Sequence, residues 1–466
     1  MPTFTPTRAL LMTCLCVYQG QERSVRWLHK MLAAKVSTST WFVLLLWCAS
    51  TIIHAQEQRL NVKCMDQCTF TLVESIPENL TYPASAPILL STYEAHLRIL
   101  RNAKSSIHLS TFYWTLLGND TDFHDYSSYK GESIFNSINA IAKAGNVTVM
   151  LAQNNSNADT DILSKNGAQV RTVDFERLIG AGVLHTKMHL VDGQHMYLGS
   201  ANMDWRSYTQ TKELGVLVEN CPCLGKDAEK LFQVYWYLGK PDAEVPKHWP
   251  EQYSTNINMS DPVLVPFNDT KAPVYLASSP PSFCPDGRTS DIDALLEVVR
   301  SAKDFIYISV MDYFPAIIYK KPYRFWPVID DALRRAVIDR DVTLYLMAAH
   351  WAHTHGDMYG YLKSLDDMNR VYRGKVVVKL FTVPATPEQK KIPFARVDHC
   401  KYMVTDQHAY IGTSNWSGDY FTATGGLSFV IEQPKNKTVN ENGNIRQQLE
   451  DVFLRDFFSE YSKIVN

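Results

Sequence analysis

An α/β protein of two duplicated halves sharing one active site is the architecture this sequence predicts, and three observations predict it. A His-x-Lys-x4-Asp motif occurs twice, as His185, Lys187 and Asp192 in LHTKMHLVDGQHMYLGSAN and as His399, Lys401 and Asp406 in DHCKYMVTDQHAYIGTSN. Each copy runs through a short apolar stretch into Gly-Ser-Ala-Asn or Gly-Thr-Ser-Asn. The likeness extends upstream. AHLRILRNAKSSIHLS from Ala95 matches ALLEVVRSAKDFIYIS from Ala294 at an offset of 199, and NVTVMLA from Asn146 matches DVTLYLM from Asp341. Apolar residues at helical spacing precede each Ala-Lys and short β-rich runs follow it. Each half therefore reads as helices layered on a largely buried sheet.

The chain starts with a basic stretch, Arg8, Arg23, Arg26, Lys30 and Lys35, in which Glu22 is the single acidic residue. WFVLLLWCASTII follows, and residues 36–55 make up a 20-residue, mostly apolar run, about the length that spans a bilayer. Basic residues before it favour a cytoplasmic tail over 1–35 and a luminal body. A signal anchor over 36–55 is expected, with a cleavable signal peptide as the rival. The first half is expected over 64–245, with the order helix, strand, helix, strand, strand, motif strand. A linker rich in Pro, Asn and Ser is expected over 246–272, and the second half, in the same order, over 273–466.

Nine cysteines fit a secretory route, and six of them, Cys64, Cys68, Cys221, Cys223, Cys284 and Cys400, follow the apolar run. The Cys64/Cys68 and Cys221/Cys223 pairs offer four zinc ligands, but the second spacing is too tight for the usual pattern. Two disulfides suit an oxidising lumen better. Sequons at Asn79, Asn119, Asn146, Asn154, Asn258, Asn268 and Asn436 agree with a glycosylated luminal body. Asn415 also fits the pattern, but its motif position argues against a glycan there. Net charge is −2, so no basic field advertises a polyanion partner. Any grip on phosphates must be local.

The motif pattern fits phosphorus chemistry. A histidine can attack phosphorus through a neutral ring nitrogen and divide one hard step into two. A second, protonated, can give the leaving oxygen its proton and later take one from water. Lys187 and Lys401, with Asn202, Asn415 and Ser200, are candidates to hold the phosphate oxygens. Alternation places His185 and Lys187 on one strand face, and likewise His399 and Lys401. Asp192 and Asp406 complete the candidate catalytic set, although they fall on the opposite face or in the following turn and are better suited to closing it. Glu213 lies 28 residues after His185, and Gly426 stands at the matching place in the second half. A glutamate on the far nitrogen of His185 would make it the nucleophile, leaving His399 as the acid. Two further groups are candidates for the substrate path. His350, His353 and His355 in HWAHTHGD read as a rim loop rather than a metal site. Phe112, Tyr113, Trp114, Tyr313 and Phe314 either stack bases or pack the core.

On these residues the chain resembles the phospholipase D superfamily, whose signature is the doubled motif. Closer still, GVLHTK, YLGSANMDWRSYTQTKELGV, YMVT and AYIGTSNWSGDYF resemble the luminal phospholipase D three and four branch. So do TLVESIP near Thr71, FYWTL at Phe112 and YRFWPVIDDALRRA at Tyr323. The resemblance covers nearly all of 64–460. It implies two α-β-α halves related by pseudo-twofold symmetry and a single-pass type II protein of the endoplasmic reticulum and lysosome, its luminal body either anchored or released. It also implies 5′-to-3′ exonuclease action on single-stranded DNA or RNA, with no metal cofactor. His185 and His399 would be the catalytic pair, and the cysteines would join as Cys64–Cys223 and Cys68–Cys221. Phospholipid cleavage or transphosphatidylation is the alternative that the same branch offers, and a homodimer is left open. The chain departs from the branch at Met188-His189-Leu190, at Cys400, and in lacking the cysteines of a C-terminal disulfide.

Overall fold

Two mixed sheets, one per half, carry the molecule. The computed structural model describes residues 64, 68–118, 123, 125–267, 270–372, 375–435 and 444–465. The tail, the apolar run over 36–55 and the sequons Asn119, Asn268 and Asn436 lie outside the described residues. Among the described residues no helix is long and apolar enough to cross a membrane.

In the first half the chain runs β1 (Thr69–Ser75), β2 (Leu90–Ser91), α1 (Thr92–Arg101), β3 (Ser106–Thr111), α2 (Tyr129–Ala144), β4 (Thr148–Gln153) and α3 (Ala158–Lys165). It continues through β5 (Gln169–Thr172), β6 (Lys187–Val191), β7 (His195–Gly199), β8 (Glu213–Glu219) and α4 (Pro222–Leu238). The spatial order of the eight strands is β2-β1-β8-β7-β6-β3-β4-β5. Strands β3, β4 and β5 are parallel, and β6 to β8 form an antiparallel meander closed by β1.

The second half repeats this order. It runs β9 (Val263–Phe267), β10 (Thr270–Ser279), α5 (Asp291–Ser301), β11 (Phe305–Val310), α6 (Val328–Arg340), β12 (Thr343–Ala349), α7 (Asp357–Asp366) and β13 (Val376–Phe381). Then follow β14 (Lys401–Thr405), β15 (His408–Gly412), β16 (Gly426–Glu432), α8 (Ile445–Phe457) and β17 (Ser462–Ile464). The nine strands lie in the order β9-β10-β16-β15-β14-β11-β12-β13-β17. Equivalent helices start alike: the Ser91 hydroxyl accepts from the Glu94 N–H at α1, and Ser290 accepts from Asp293 at α5. Each cap satisfies an N–H that the first helical turn leaves without a partner.

The structure differs from the sequence-based expectation in three places. Each half carries an extra strand before its first helix, β1 or β10, antiparallel to the strand that carries Glu213 or Gly426. Each also has a third helix, α3 or α7, before its third parallel strand. At eight residues α3 buries only Asp159, Thr160 and Leu163, too few apolar positions to print a helical period. The expected linker over 246–272 is shorter than its composition suggested, because Val263–Phe267 pairs antiparallel with β10. Pro266 hid that strand; proline is tolerated there because β9 is an edge.

Cys64 is bonded to Cys223 and Cys68 to Cys221, with Cα separations of 5.8 and 4.6 Å. The four sulfurs are thereby used in pairs, which displaces the zinc alternative. They tie the start of the first half to the start of α4. Asn79 and Asn146 are exposed and Asn258 is half-buried. Asn154 corrects the sequon set: it is 8% exposed and its amide oxygen accepts from the Leu184 N–H at 2.9 Å. A glycan on that side chain would have to leave from buried surroundings.

The core is continuous between the halves. Met188, Leu190 and Leu198 belong to the same apolar cluster as Leu276, Met403 and Ile431. Buried ion pairs cross the same junction: Lys212 to Asp456 at 2.7 Å, Arg455 to Glu74 at 2.7 Å and Arg288 to Asp227 at 2.7 Å. Arg288 is bidentate on Asp227, the geometry that best offsets the cost of removing two charges from water.

Candidate active site

Each half holds the histidine of the other. The segment before β6 pairs with the segment before β16: the His185 N–H donates to Gly425 O at 2.8 Å, and Gly425 N–H to Val183 O at 2.8 Å. The segment before β14 pairs with the segment before β8: the His399 N–H donates to Lys212 O at 2.8 Å, and Lys212 N–H to Val397 O at 2.9 Å. These two short parallel bridges, Leu184 with Gly425 and Lys212 with Asp398, are equivalent under the repeat. They set the residue after each bridge, Glu213 or Gly426, beside the partner half's histidine.

Glu213 therefore meets His399, not His185. Its carboxylate accepts from His399 Nδ1 at 2.9 and 3.1 Å. The expectation that Glu213 orients His185 fails because the reach runs across the halves, whereas sequence spacing suggested a contact within one. His185 Nδ1 instead meets the carbonyl of Thr413 at 2.9 Å. A carbonyl only accepts, so His185 carries its proton on Nδ1 and leaves Nε2 with a free lone pair. Phe112 and Tyr420 hold the ring from two sides, each with centroids 5.0 Å away.

The lysines are buried beside the histidines. Lys187 Nζ donates to His185 O at 2.7 Å, and Lys401 Nζ to His399 O. Burial holds Lys187 well below its ordinary range, helped by Lys401, and pushes Lys401 down to about 8. His185 is held well below its usual value by burial, then by Lys187, Lys401 and His399. These four groups thus act on one another across the halves. Burial also lowers His399, but Glu213 opposes the shift. On Glu213 burial raises the carboxyl, and His399 and Lys401 outweigh it, so it stays ionised. Of the two rings, His399 is the one with a carboxylate beside it to favour a proton. An arriving phosphodiester anion would favour the charged lysines again.

Asn202 and Asn415 are buried with amide oxygens that have no partner among the described residues. The Asn415 amide nitrogen donates to Asp312 at 3.0 Å and to the Tyr420 hydroxyl at 3.2 Å. Ser200 does not present its hydroxyl to the same space; it caps the Leu214 N–H at 3.0 Å and supports Glu213.

Asp192 and Asp406 lie outside the site. The Asp192 carboxylate takes N–H groups from Lys104, Ser105 and Ser106 at 2.7–2.9 Å, and Asp406 takes those of Lys303 and Asp304 at 2.9 and 3.0 Å. They pin the motif strand's turn to the start of β3 or β11. Among the aromatic candidates, Trp114 is 1% and Tyr313 2% exposed, and Tyr113 is bonded to Asp204 at 2.9 Å. These three belong to the framework. Phe112 lies against His185, and Phe314 lines an open groove beside Asp312 with His353 and His355, while His350 bonds Tyr359 outside it. The Thr413 carbonyl and Tyr420 were missed from sequence. A backbone carbonyl has no residue signature, and Tyr420 lies five residues past Asn415 in a run that reads as motif tail.

Comparison with known proteins decides the lineage: the model of the family described as PLD3/4, PLD-like domain matches residues 83–386. This chain belongs to that family. The PLD3/4 relatives include the 5′-3′ exonuclease PLD3 of Pongo abelii, 43% identical over 469 positions that cover 99% of this chain and 94% of that one. The 5′-3′ exonuclease PLD4 of Mus musculus is 40% identical, covering 93% of this chain and 84% of that one. Among solved structures, phosphatidylserine synthase of Haemophilus influenzae Rd KW20 shares the fold, with a TM-score of 0.54 at 11% identity over 88% of this chain and 91% of its own. Membership in the PLD3/4 family agrees with the doubled motif and with a phosphodiesterase-type enzyme.

Proposed function

We propose that this protein is a luminal phosphodiesterase that shortens single-stranded DNA or RNA from its 5′ end through a phosphohistidine intermediate. The observation that carries this reading is the crossed exchange, in which Glu213 holds His399 while Thr413 holds His185. His185 Nε2 attacks phosphorus. As the N–P bond forms, the P–O bond to the leaving hydroxyl breaks, and His399 gives that oxygen its Nε2 proton. Water then attacks phosphorus, His399 takes the proton from the water, and the N–P bond breaks. Lys187, Lys401, Asn202 and Asn415 stabilise the charge on the non-bridging oxygens. The role assigned to each histidine from sequence is kept, but its support is reversed: the carboxylate marks the acid, since it favours the imidazolium.

The exonuclease names of the relatives support nucleic acid as the substrate. The paired disulfides, the exposed sequons Asn79 and Asn146 and the basic-then-apolar start support a luminal body on a type II anchor, carried from the endoplasmic reticulum to the lysosome. The test is incubation of the full chain with a 5′-hydroxyl single-stranded oligonucleotide and, separately, with phosphatidylcholine vesicles. Stepwise shortening from the 5′ end is expected. It should be nearly abolished in His185→Ala and His399→Ala, since acid–base help alone contributes roughly 10²–10⁴-fold. Headgroup release without any shortening of the oligonucleotide would overturn the reading.

A further inference from the structure

A groove of 390 Å³ opens from the phosphate site on the side of the second half. Its inner end is Met311 and Asp312. Met311 Sδ lies 4.0 Å from Lys401 Nζ, and Asp312 takes the Asn415 amide. Its walls are rings: Phe314, Tyr319, Tyr323 and Trp351, with His353 and His355 on the rim. A file of rings links it to the reacting centre, because Tyr420 stands between His185 at 5.0 Å and Tyr319 at 6.1 Å. At the equivalent strand end of the first half Tyr113 is bonded to Asp204 and Trp114 is buried, so these two rings are taken into the framework.

We propose that this groove is a subsite for one nucleotide next to the scissile phosphate, its base against the groove's rings and its backbone phosphate against His353 and His355. The inference rests on the nuclease reading. The volume is at the small end of the roughly 300–1,000 Å³ of small-molecule sites, room for a single nucleotide rather than a length of strand. Tyr319, 64% exposed, offers a face for a base, and Tyr323, 59% exposed, offers the face opposite Lys321 Nζ, which stands 3.4 Å from its ring centroid; stacking accepts any base because each has a π face. The backbone phosphate meets the rim. There His353 is stacked on Phe394 at 4.8 Å and flanked by Trp351 at 4.8 Å, and His355 sits edge-on to Phe314 at 5.8 Å.

The ionisable groups lining the groove, besides its tyrosines, are Asp312, Asp357, His353 and His355. Asp357 lies 3.6 Å from His355, and His355 also acts on Asp312. Burial holds the Asp312 carboxyl above the usual range, with Lys401 and His355 acting against it.

The experiment measures KM and kcat of the full chain on a 5′-hydroxyl oligothymidine. In the His353→Ala/His355→Ala double variant KM should rise about tenfold, the order of one lost hydrogen bond, with kcat retained. Tyr323→Leu, on the exposed rim, should raise KM about tenfold for a normal strand and leave it unchanged for one abasic at its terminal nucleotide. A double variant with the original KM, or a Tyr323→Leu variant equally weakened on both strands, would overturn the subsite while oligonucleotide shortening persisted. No shortening by the unaltered protein at any pH would instead be the failure of the nuclease reading.

Discussion

At His399 one carboxylate decides between two chemically identical side chains. Removing its charge with Glu213→Gln keeps the volume and the Thr211 hydroxyl contact, which is 2.8 Å in the native protein. The imidazolium of His399 then loses the group that opposes burial, so its pKa falls. The acid must be protonated to act, and the alkaline limb of the kcat profile should therefore move to lower pH. The maximal kcat should drop about 100-fold, at the low end of what an acid contributes, with KM little changed. A variant whose alkaline limb stays in place would show that Glu213 does not set the protonation of His399. What sequence made legible here was the identity of the histidines and lysines, because the motif prints them twice. Which histidine Glu213 serves was not legible, because a contact made through the Lys212–Asp398 bridge leaves no mark in the spacing of either half.

The motif strands are held by their aspartates at the level of the turn. Asp192 sits at φ 54°, a left-handed conformation open to aspartate at small cost, and receives three backbone N–H groups. Asp192→Ala leaves those N–H groups without their acceptor and should lower stability by about 1–3 kcal/mol. Turnover measured at low temperature, where the variant is folded, should be within a few-fold of the original. A loss of activity as deep as that of His185→Ala, with the melting temperature intact, would count against the anchoring role. Helices with a strong apolar face, such as α1 and α5, were readable from their period. The short α3 and the edge strand β9 were not, because three buried residues make no period and Pro266 imitates a linker.

Over the whole molecule the two halves differ in what their cores contain. His96 and His189 are buried in the first half with rings 4.2 Å apart, and the Nε2 atoms of both have no partner among the described residues. The repeat places Leu295 and Met403 at the same positions in the second half. Burial, and for His96 also His189, holds His96 well below the ordinary histidine value; burial holds His189 at about 3 and His408, on β15, at about 4. A histidine depressed in the folded state gives stability that is fully present above its unfolded value, about 6.5. That stability is lost as pH falls from there toward the folded values, by about 1.4 kcal/mol per pH unit for each group. His189→Met should consequently narrow the gap between the melting temperatures at pH 7.5 and pH 5. An unchanged gap, read by calorimetry at both pH values, would remove His189 from the account. The duplication itself was plain in the sequence, but this difference was not, since nothing in two histidines 93 residues apart says that they touch.

The side chain missing at Gly426 has a consequence of a different kind. A Cβ there would stand 2.2 Å from the Ser414 hydroxyl and 2.7 Å from that of Ser279, so the second half has closed the space where a matching glutamate would sit. A perfectly twofold pocket has no front or back: a phosphodiester could enter either way round, and either imidazole could strike first. With the tie broken once, by a carboxylate on one side and a ring-walled groove on the other, the bond is presented in a single orientation. A polymer drawn through such a pocket can be read in only one direction.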